Sequence, residues 1–476
     1  MFAYTAPLKI RNNRPRRVAA TVNGQRNRGG SLTLKSKSSA LIGLLVALVA
    51  LVAAGCGGSD GGSAPEALPS SSCTAIEYEG DGDPEYLLVS DFPLQGSSRT
   101  QTLQMNDAIR FLLQQRSWVA GDYKIGFQAC DDATAQAGKW DSGKCSQNAN
   151  AYAANDKVIG IIGTFNSGCA GIIIPVVNQA PDGGIAMMSP ANTFVCLTQG
   201  GPGCDTSEPD KYYPSGARNY ARVAAPDSYQ GAAVAEFAQE QGIKNVFILN
   251  DKEAYGLGVA TNFRGAAESL GIKVAGFASW DPKASSYEAL FNQIKGTNAD
   301  AVFLGGLIDE NGAQVIKDKV AVLGANEGDV KLLAPDGFTT QQTIDEAGPA
   351  AAGMFMSVVG QPIDAFTGTA KEFADAYSAE FLSGKTIDPY AIYAAQSADV
   401  MLTAIENSDG TRADVIAQMF AYSNEDSLLG PISFNADGDI VGQGAYGITI
   451  YKATDKLETE TVINPKQTSV DAALGK

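Results

Sequence analysis

Residues 158–167 read VIGIIGTFNS, in which a short and continuously apolar run at 158–163 is followed by small and polar residues. A run of this length and composition predicts a β-strand that is buried on both faces. Similar runs recur along the chain, at 86–90, 124–129, 185–189, 245–250, 273–279, 301–305, 331–334 and 354–358. We therefore expect a protein built on parallel sheets.

Longer amphipathic stretches lie between these strand candidates. The stretch 102–115 carries one apolar stripe at helical spacing, made of Met105, Ala108, Ile109, Leu112 and Leu113. Further helix candidates are 148–155, 229–241, 258–270, 286–297 and 311–323. The alternating strand and helix candidates are too many for a single doubly wound sheet, and the chain of 476 residues is long enough for two domains. The predicted fold class is α/β, with two doubly wound, Rossmann-like lobes.

Charge and histidine content exclude several classes of function. The chain carries 35 Lys and Arg against 52 Asp and Glu, a formal net charge of −17, so no nucleic-acid partner is expected. It has no histidine, which excludes triads with a histidine base, HExxH proteases and most catalytic zinc sites. We expect no cofactor, no metal and no catalytic residue. An enzyme that relies on carboxylates alone, such as a glycosidase, is a remaining alternative.

The first 55 residues have the layout of an export signal. They contain nine basic residues and no acidic ones, and their uncharged apolar run at 40–54 is shorter than the roughly 20 residues of a membrane span. The following Gly55-Cys56 is similar to a bacterial lipobox, in which Cys56 is lipidated; an ordinary signal or an uncleaved anchor is the alternative. Residues 56–74 are rich in Gly, Ser and Pro and predict a flexible tether. We expect an exported protein, lipid-anchored at the outer face of the membrane or in the periplasm.

Six further cysteines follow Cys56. An even number in an exported chain predicts disulfides. Cys196 and Cys204 flank a loop rich in glycine and are paired first. Cys130 and Cys145 are paired next, which leaves Cys73 with Cys169. The expected pairs are Cys196–Cys204, Cys130–Cys145 and Cys73–Cys169.

Six short segments, taken in order, carry a resemblance to a known family. They are 159–167, 188–193, 254–258, 334–337, 390–395 and 430–434 with 437–439, which read IGIIGTFNS, MSPANT, AYGLG, APDG, YAIYAA and GPISF with DGD. From about Leu87 to Tyr451 the chain thereby resembles the leucine/isoleucine/valine-binding proteins, the type I periplasmic binding proteins of amino-acid ABC transporters. The stretch between Cys130 and Cys145 is longer than in familiar members.

The resemblance implies two lobes, joined by a three-segment hinge, that close on a ligand. The implied division is lobe 1 at 75–225 and 355–440, lobe 2 at 226–354 and 441–462, and a C-terminal tail at 463–476. The three crossings are expected near 225–227, 353–360 and 439–444. The implied function is to capture a branched-chain or other small amino acid, or an amide, and deliver it to an ABC permease and its ATPase. A sensor domain that reports the ligand to a receptor is the alternative.

The resemblance also implies a set of ligand-binding residues: Phe165, Asn166, Ser167, Ala191, Asn192, Thr193, Tyr255, Leu307 and Asp336. Ser167 and Thr193 follow strand ends, where hydroxyls and helix N–H groups suit an α-carboxylate, although helix capping is the commoner use of such residues. Asp336 would take the ammonium, and an Asp before Gly is otherwise a common turn residue. Tyr255 would cover the ligand from lobe 2.

Side-chain selectivity is assigned to the remaining residues of that set. Asn166 and Asn192 are polar where an aliphatic ligand prefers apolar walls, and Leu307 stands where an aromatic residue is usual. These differences extend the expected ligands beyond leucine, to a polar amino acid, an amide or a related small metabolite.

Overall fold

The computed structural model describes residues 64–383, 386–442 and 446–476. The leader, the apolar run at 40–54 and Cys56 lie outside the described residues. The strands, in chain order, are β1 (Tyr86–Phe92), β2 (Val119–Ala120), β3 (Tyr123–Asp131), β4 (Ala133–Thr134), β5 (Lys139–Trp140), β6 (Val158–Gly163), β7 (Ala186–Ser189), β8 (Tyr220–Arg222), β9 (Asn245–Asn250), β10 (Lys273–Ser279), β11 (Ala301–Gly305), β12 (Lys331–Ala334), β13 (Phe355–Val359), β14 (Ser423–Ser427), β15 (Gly430–Phe434), β16 (Ile440–Val441), β17 (Ile448–Ala453) and β18 (Leu457–Ile463).

The α-helices, in chain order, are α1 (Arg99–Gln115), α2 (Ser142–Ala154), α3 (Ser167–Val177), α4 (Asp227–Glu240), α5 (Ala254–Ser269), α6 (Glu288–Lys295), α7 (Ala313–Leu323), α8 (Gln341–Ala347), α9 (Gly368–Tyr377), α10 (Pro389–Glu406), α11 (Arg412–Ala421) and α12 (Gln467–Ala473). Among the described residues, none of these helices combines the length and apolar character that a membrane span requires.

Two mainly parallel sheets form the two lobes. The first has the strand order β2-β3-β1-β6-β7-β8, and the second has the order β10-β9-β11-β12-β13-β17-β18. The antiparallel neighbours are β2 at one edge of the first sheet and the β17–β18 pair at one edge of the second. Helices cover the sheets, as the continuous apolar strands require. The predicted α/β class with two doubly wound lobes is confirmed.

The apolar patterns explain how the helices pack on the first sheet. All six residues of β6 are buried. Every residue of the predicted stripe on α1 is buried as well, and α1 packs against α10. Helix α10 begins at Pro389, and the Asp388 side chain accepts a hydrogen bond from the Tyr390 N–H (3.1 Å), which caps the helix.

One predicted lobe boundary is wrong. Residues 355–440 were expected to begin in lobe 1, but β13 belongs to the second sheet, where Phe355 is paired with Leu333 of β12 and Lys452 of β17. The return to the first lobe therefore follows β13. The glycines near 353–360 mark a boundary in the sequence, but they do not indicate which sheet β13 joins, because a buried apolar strand could belong to either sheet.

The C-terminal tail predicted at 463–476 is also structured. Helix α12 packs on α4 and α5. The Ala473 carbonyl accepts a hydrogen bond from Asn262 Nδ2 (2.8 Å), and Ser469 Oγ donates one to Glu236 Oε1 (2.6 Å). The second lobe thus includes the end of the chain.

The chain crosses between the lobes in three places: between β8 and α4, after β13, and between β16 and β17. The third crossing includes residues 443–445, which lie outside the described residues. An ion pair lies beside the first and third crossings: the fully buried Arg222, at the end of β8, donates from Nε to Oδ1 of Asp439, the residue before β16, at 2.8 Å. The remaining guanidinium nitrogens donate to the Phe194 carbonyl (2.7 Å) and to Thr198 Oγ1 (2.7 Å).

The disulfides are Cys73–Cys130, Cys145–Cys169 and Cys196–Cys204. Of the expected pairs, only Cys196–Cys204 is confirmed; Cys130–Cys145 and Cys73–Cys169 are wrong. The segment after Cys73 runs antiparallel to β3, with the Thr74 N–H donating to the Ala129 carbonyl (2.9 Å), and this places Cys73 opposite Cys130. Helices α2 and α3 pack together and bring Cys145 to Cys169.

Candidate functional site

A small cavity lies between the lobes, at the carboxyl ends of strands from both sheets. This edge is where open α/β sheets bind ligands. Its free volume is about 20 Å³, close to that of one or two water molecules. The lining residues are Trp140, Phe165, Asn166, Ser167, Gly168, Ala191, Glu253, Tyr255, Leu307, Asp336 and Gly337. The two lobes are therefore closed on each other.

Asp336 lies at the centre of a hydrogen-bond network that joins the lobes. Tyr255 Oη (2.6 Å) and Gln230 Nε2 (2.7 Å) both donate to its Oδ1. Tyr390 Oη, from α10 on the first lobe, donates to Oδ2 at 2.6 Å. Burial raises the pKa of Asp336, and the three donors oppose that rise because they stabilise the ionised form.

A second buried carboxyl group, Asp227, lies beside Asp336 at the first crossing. It is fully buried, and neither carboxylate oxygen has a hydrogen-bond partner within the described part of the chain. Burial raises its pKa well above the ordinary value, and the charge of Asp336 raises it further. An unpartnered carboxyl group at this depth is costly, so the pair is suited to a cation that enters between them.

The start of α3 forms the opposite side of the cavity. Asn166 occupies the N-cap position but makes no side-chain cap, and both amide atoms are buried without a partner among the described residues. Ser167 is the first helical residue, and its Oγ accepts a hydrogen bond from the Phe194 N–H (3.4 Å). Free N–H groups and the helix dipole favour an anionic group here.

Seven of the nine predicted ligand-binding residues line this cavity: Phe165, Asn166, Ser167, Ala191, Tyr255, Leu307 and Asp336. Asn192 does not. Its Nδ2 donates to the carbonyls of Thr164 and Phe165 (both 3.0 Å), and its Oδ1 accepts from Tyr220 Oη (3.2 Å), so its amide is used inside the first lobe.

Thr193 does not line the cavity either, but it lies next to Asp227. Its carbonyl accepts the Asp227 N–H at 2.8 Å. Its fully buried hydroxyl faces the Asp227 carboxyl group and opposes the rise in the pKa of that group, although the two atoms make no hydrogen bond of ordinary geometry in the described part of the chain. Thr193 thus remains a candidate for a ligand contact.

Sequence reasoning missed other residues of the site, namely Trp140, Glu253, Asp227, Gln230 and Tyr390. Two of these stood in quoted segments: Asp227 in the first crossing and Tyr390 at the start of YAIYAA. A signal for Trp140 was its position in the lengthened stretch between Cys130 and Cys145. None of these signals indicates which side chain faces the cleft, because that depends on how distant segments meet.

The site has an acidic character. Glu253 and Asp336 line the cavity, and its lining includes no Lys or Arg among the described residues. Burial and the neighbouring Glu310 raise the pKa of Glu253. The nearest cations already have partners: Arg222 pairs with Asp439, and Lys139 pairs with Glu310 and, at 3.6 Å, with Glu253.

A cleft between two α/β lobes, connected by three crossings and closed over a small cavity of mixed apolar and acidic lining, defines a two-lobed solute-binding protein. Residues 94–455 match the family model described as "Periplasmic binding protein", and the chain belongs to this family. Its members bind solutes rather than catalyse reactions, so the enzyme alternative does not apply.

Named relatives agree with this assignment. The chain is 25% identical over 304 residues to the leucine-, isoleucine-, valine-, threonine-, and alanine-binding protein of Pseudomonas aeruginosa, which covers 63% of this chain and 72% of that protein. The crystal structure of the leucine-binding protein LivK of Thermotoga maritima has a TM-score of 0.68 at 21% identity, covering 80% of this chain and 99% of that one. A solute-binding protein of an ABC transporter from R. palustris, in complex with benzoate, has a TM-score of 0.64 at 18% identity, covering 80% and 96%.

Proposed function

We propose that this protein is an extracytoplasmic solute-binding lipoprotein that captures a small amino acid between its lobes and delivers it to an ABC permease. The match to the periplasmic binding protein family supports the capture of a solute outside the cytoplasm, and the amino-acid-binding relative from P. aeruginosa supports the ligand class. The fold alone does not identify the ligand, because a leucine-binding protein and a solute-binding protein in complex with benzoate both have similar folds.

The observation that carries the ligand class is the pair of buried carboxyl groups, Asp336 and Asp227. Benzoate could place its carboxylate at the start of α3, but it has no cationic group to pair with Asp336 and Asp227, and the cavity lining includes no Lys or Arg among the described residues. An ammonium group is attracted by the same arrangement. The pair therefore favours a ligand with a cationic group over an aromatic acid.

The proposed pose follows from the two ends of the cavity. The ammonium lies at Asp336 and Asp227, and the α-carboxylate lies at the start of α3, near Ser167. Tyr255 covers the ligand. The side chain of the ligand meets Leu307 and the unpartnered amide of Asn166, so a small residue with a hydroxyl or amide group suits the site better than a long aliphatic one.

A thermal-shift screen tests this proposal. Purified protein is melted with each of the twenty L-amino acids and, separately, with benzoate and 4-hydroxybenzoate. At a hundredfold excess over Kd a ligand adds about 2.7 kcal/mol to stability, which raises the Tm measurably. We expect one or more small amino acids to raise the Tm and the benzoates to leave it unchanged. Stabilisation by the benzoates alone would overturn the proposal.

The lipid anchor is tested separately. The proposal places a lipid on Cys56 and the folded body outside the membrane. The tether predicted at 56–74 is shorter than expected, because Leu68 is buried and donates its N–H to Gln128 Oε1 (2.9 Å) and Cys73 is bonded to Cys130. A Cys56→Ser variant expressed in a bacterial host should leave the membrane fraction, while the unchanged protein stays there and yields a lipidated N-terminal peptide in mass spectrometry. Membrane association that persists in the variant would contradict the anchor.

A further inference from the structure

A segment framed by two disulfides reaches from the first lobe over the cavity. It begins after Cys130, which is bonded to Cys73, and ends before Cys145, which is bonded to Cys169. Between them β4 and β5 form a small antiparallel hairpin. Strand β5 consists of Lys139 and Trp140.

Trp140 rests on the first turn of α3. A Cβ atom built on Gly168 would lie 2.6 Å from Cζ2 and 2.8 Å from Cη2 of the indole, so only glycine admits the ring at this position. Cζ2 is bonded to the ring carbon that carries Nε1, and the indole N–H therefore also lies beside this turn. Nε1 is buried, and it has no hydrogen-bond partner among the described residues.

The same hairpin contacts the second lobe. Lys139 forms an ion pair with Glu310, whose side chain is 1% exposed, and lies 3.6 Å from Glu253, a residue of the cavity wall. The disulfides fix the two ends of the segment, and these ion pairs fix its tip. Trp140 is thus held in place from both lobes.

A second, independent observation indicates a ligand at this end of the cavity. Asn166 is only 3% exposed, lines the cavity, and has neither amide atom bonded within the described part of the chain. Two buried polar groups, the Asn166 amide and the Trp140 indole N–H, therefore lack partners among the described residues beside one helix start. Buried polar groups of this kind are normally hydrogen-bonded.

We infer that Trp140 is a specificity-determining residue, whose indole N–H donates a hydrogen bond to the carboxylate of the bound ligand at the start of α3. The inference rests on the proposed function, since it takes the ligand to be an amino acid. It adds a donor on the lengthened, disulfide-framed segment, where none of the implied ligand contacts lies. The protein should therefore bind an amino acid more tightly than the amine that lacks its carboxylate.

The test compares Trp140→Phe with the unchanged full-length protein by calorimetric titration. The probes are the twenty L-amino acids and their decarboxylated amines. Losing a hydrogen bond to a charged group costs about 1.5–3 kcal/mol, so affinity for the amino acids should fall by roughly 10- to 100-fold, with little change for the amines. The matched control is Trp118→Phe. The Trp118 indole nitrogen is also buried and has no partner within the described ranges, but it does not line the cavity, so this variant should bind as the unchanged protein does.

A second variant protects the test against misfolding. Gly168→Ala keeps the indole N–H but displaces the ring, and it should lower affinity for the amino acids as well. If Trp140→Phe and Gly168→Ala bind amino acids as tightly as the unchanged protein, the inference is wrong and the proposed function stands. If the unchanged protein binds none of the amino acids, the proposed function fails and the inference fails with it.

Discussion

Two carboxyl groups of the same kind have different surroundings in this site. Asp336 receives three hydrogen bonds, whereas Asp227 receives none among the described residues. Donors favour the ionised form and burial without donors favours the neutral form. We therefore expect Asp336 to carry the charge in the ligand-free protein and Asp227 to hold the proton, which a bound ammonium displaces.

The substitution Asp227→Asn separates binding from stability. With a raised pKa, folded Asp227 holds a proton that the unfolded chain releases above about pH 4, so this group makes stability fall as pH rises. Removing it should raise the Tm of the ligand-free protein above pH 7, with a smaller gain near pH 5, and should lower affinity for the amino acid. Melting curves at both pH values and a calorimetric titration measure the two effects.

Asp132 provides the matched control. It is also fully buried with both carboxylate oxygens unpartnered in the described part of the chain, but it does not line the cavity. Burial raises its pKa well above the ordinary value, and so does the neighbouring Asp91, whose own pKa burial raises to about 6. Asp132→Asn should give the same pH-dependent gain in Tm and leave affinity unchanged. An equal loss of affinity in both variants would contradict a specific role for Asp227.

Replacing Asp336 should affect binding more strongly. Asp336→Ala leaves the ligand's ammonium without its ionised partner, and the loss of one member of a buried charge pair costs roughly 2–5 kcal/mol of binding. Calorimetry with the amino acid found in the screen measures this loss. An unchanged affinity would show that the ammonium lies elsewhere.

The resemblance of the segment APDG indicated from the sequence that Asp336 contacts the ligand, but nothing in the sequence singled out Asp227 for such a role. The difference is physical. A turn motif is local, whereas the pairing of Asp227 with Asp336 depends on the first crossing meeting the end of β12. The sequence also assigned the Asn192 amide to the ligand, whereas the structure shows it bonded to Thr164, Phe165 and Tyr220. These partners lie in other segments of the chain, so their proximity to Asn192 cannot be read from the local sequence.

Among the elements, the buried strands were the most predictable part of the chain. The prediction for β6 at 158–163 matches its bounds, and those for β9, β10, β11 and β12 do as well. A run of apolar residues determines a buried strand almost alone. Short edge strands such as β2 and β5 were not predicted, because two residues carry no periodicity.

The disulfides, unlike the buried strands, were mostly not predictable from the sequence. Proximity in sequence correctly indicated Cys196–Cys204, which are 8 residues apart, but not the pairs 57 and 24 residues apart. Those pairs depend on the packing of α2 on α3 and on the strand-like segment after Cys73. Peptide mapping of unreduced protein should recover Cys73–Cys130 and Cys145–Cys169.

Removing Cys145–Cys169 should weaken both folding and binding. A loop of this length is worth about 3 kcal/mol in the chain-entropy model, and the bond also fixes one end of the segment that carries Trp140. The double change to serine should lower the Tm and the affinity together. The control is the corresponding change at Cys196 and Cys204, which lowers the Tm without involving that segment. Loss of stability with full affinity in the first variant would contradict the coupling.

The whole molecule is closed by polar contacts between its lobes. Ser97 Oγ donates to Glu346 Oε1 at 2.7 Å, and Ser98 Oγ donates to Asp309. Tyr390 and Lys139 add the contacts already described. Because the cavity is smaller than an amino acid, the lobes must separate to admit a ligand, and the ligand then favours closure by contacting both lobes.

Tyr390→Phe tests this coupling, since its hydroxyl connects α10 of the first lobe to Asp336 of the second. Losing a hydrogen bond to a charged group should weaken amino-acid binding by roughly 10-fold or more. Small-angle scattering should then show a smaller ligand-induced compaction at a given ligand concentration. A variant that binds and compacts as the unchanged protein does would contradict a role for this contact in closure.

The central claim is that the buried acidic pair selects a ligand with an ammonium group. The most direct measurement is the affinity of the unchanged protein for the best-bound L-amino acid and for the same molecule without its amino group, by calorimetric titration. We expect the amino acid to bind at least a hundredfold more tightly, which corresponds to about 2.8 kcal/mol. Equal affinity, or tighter binding of the deaminated acid, would contradict it.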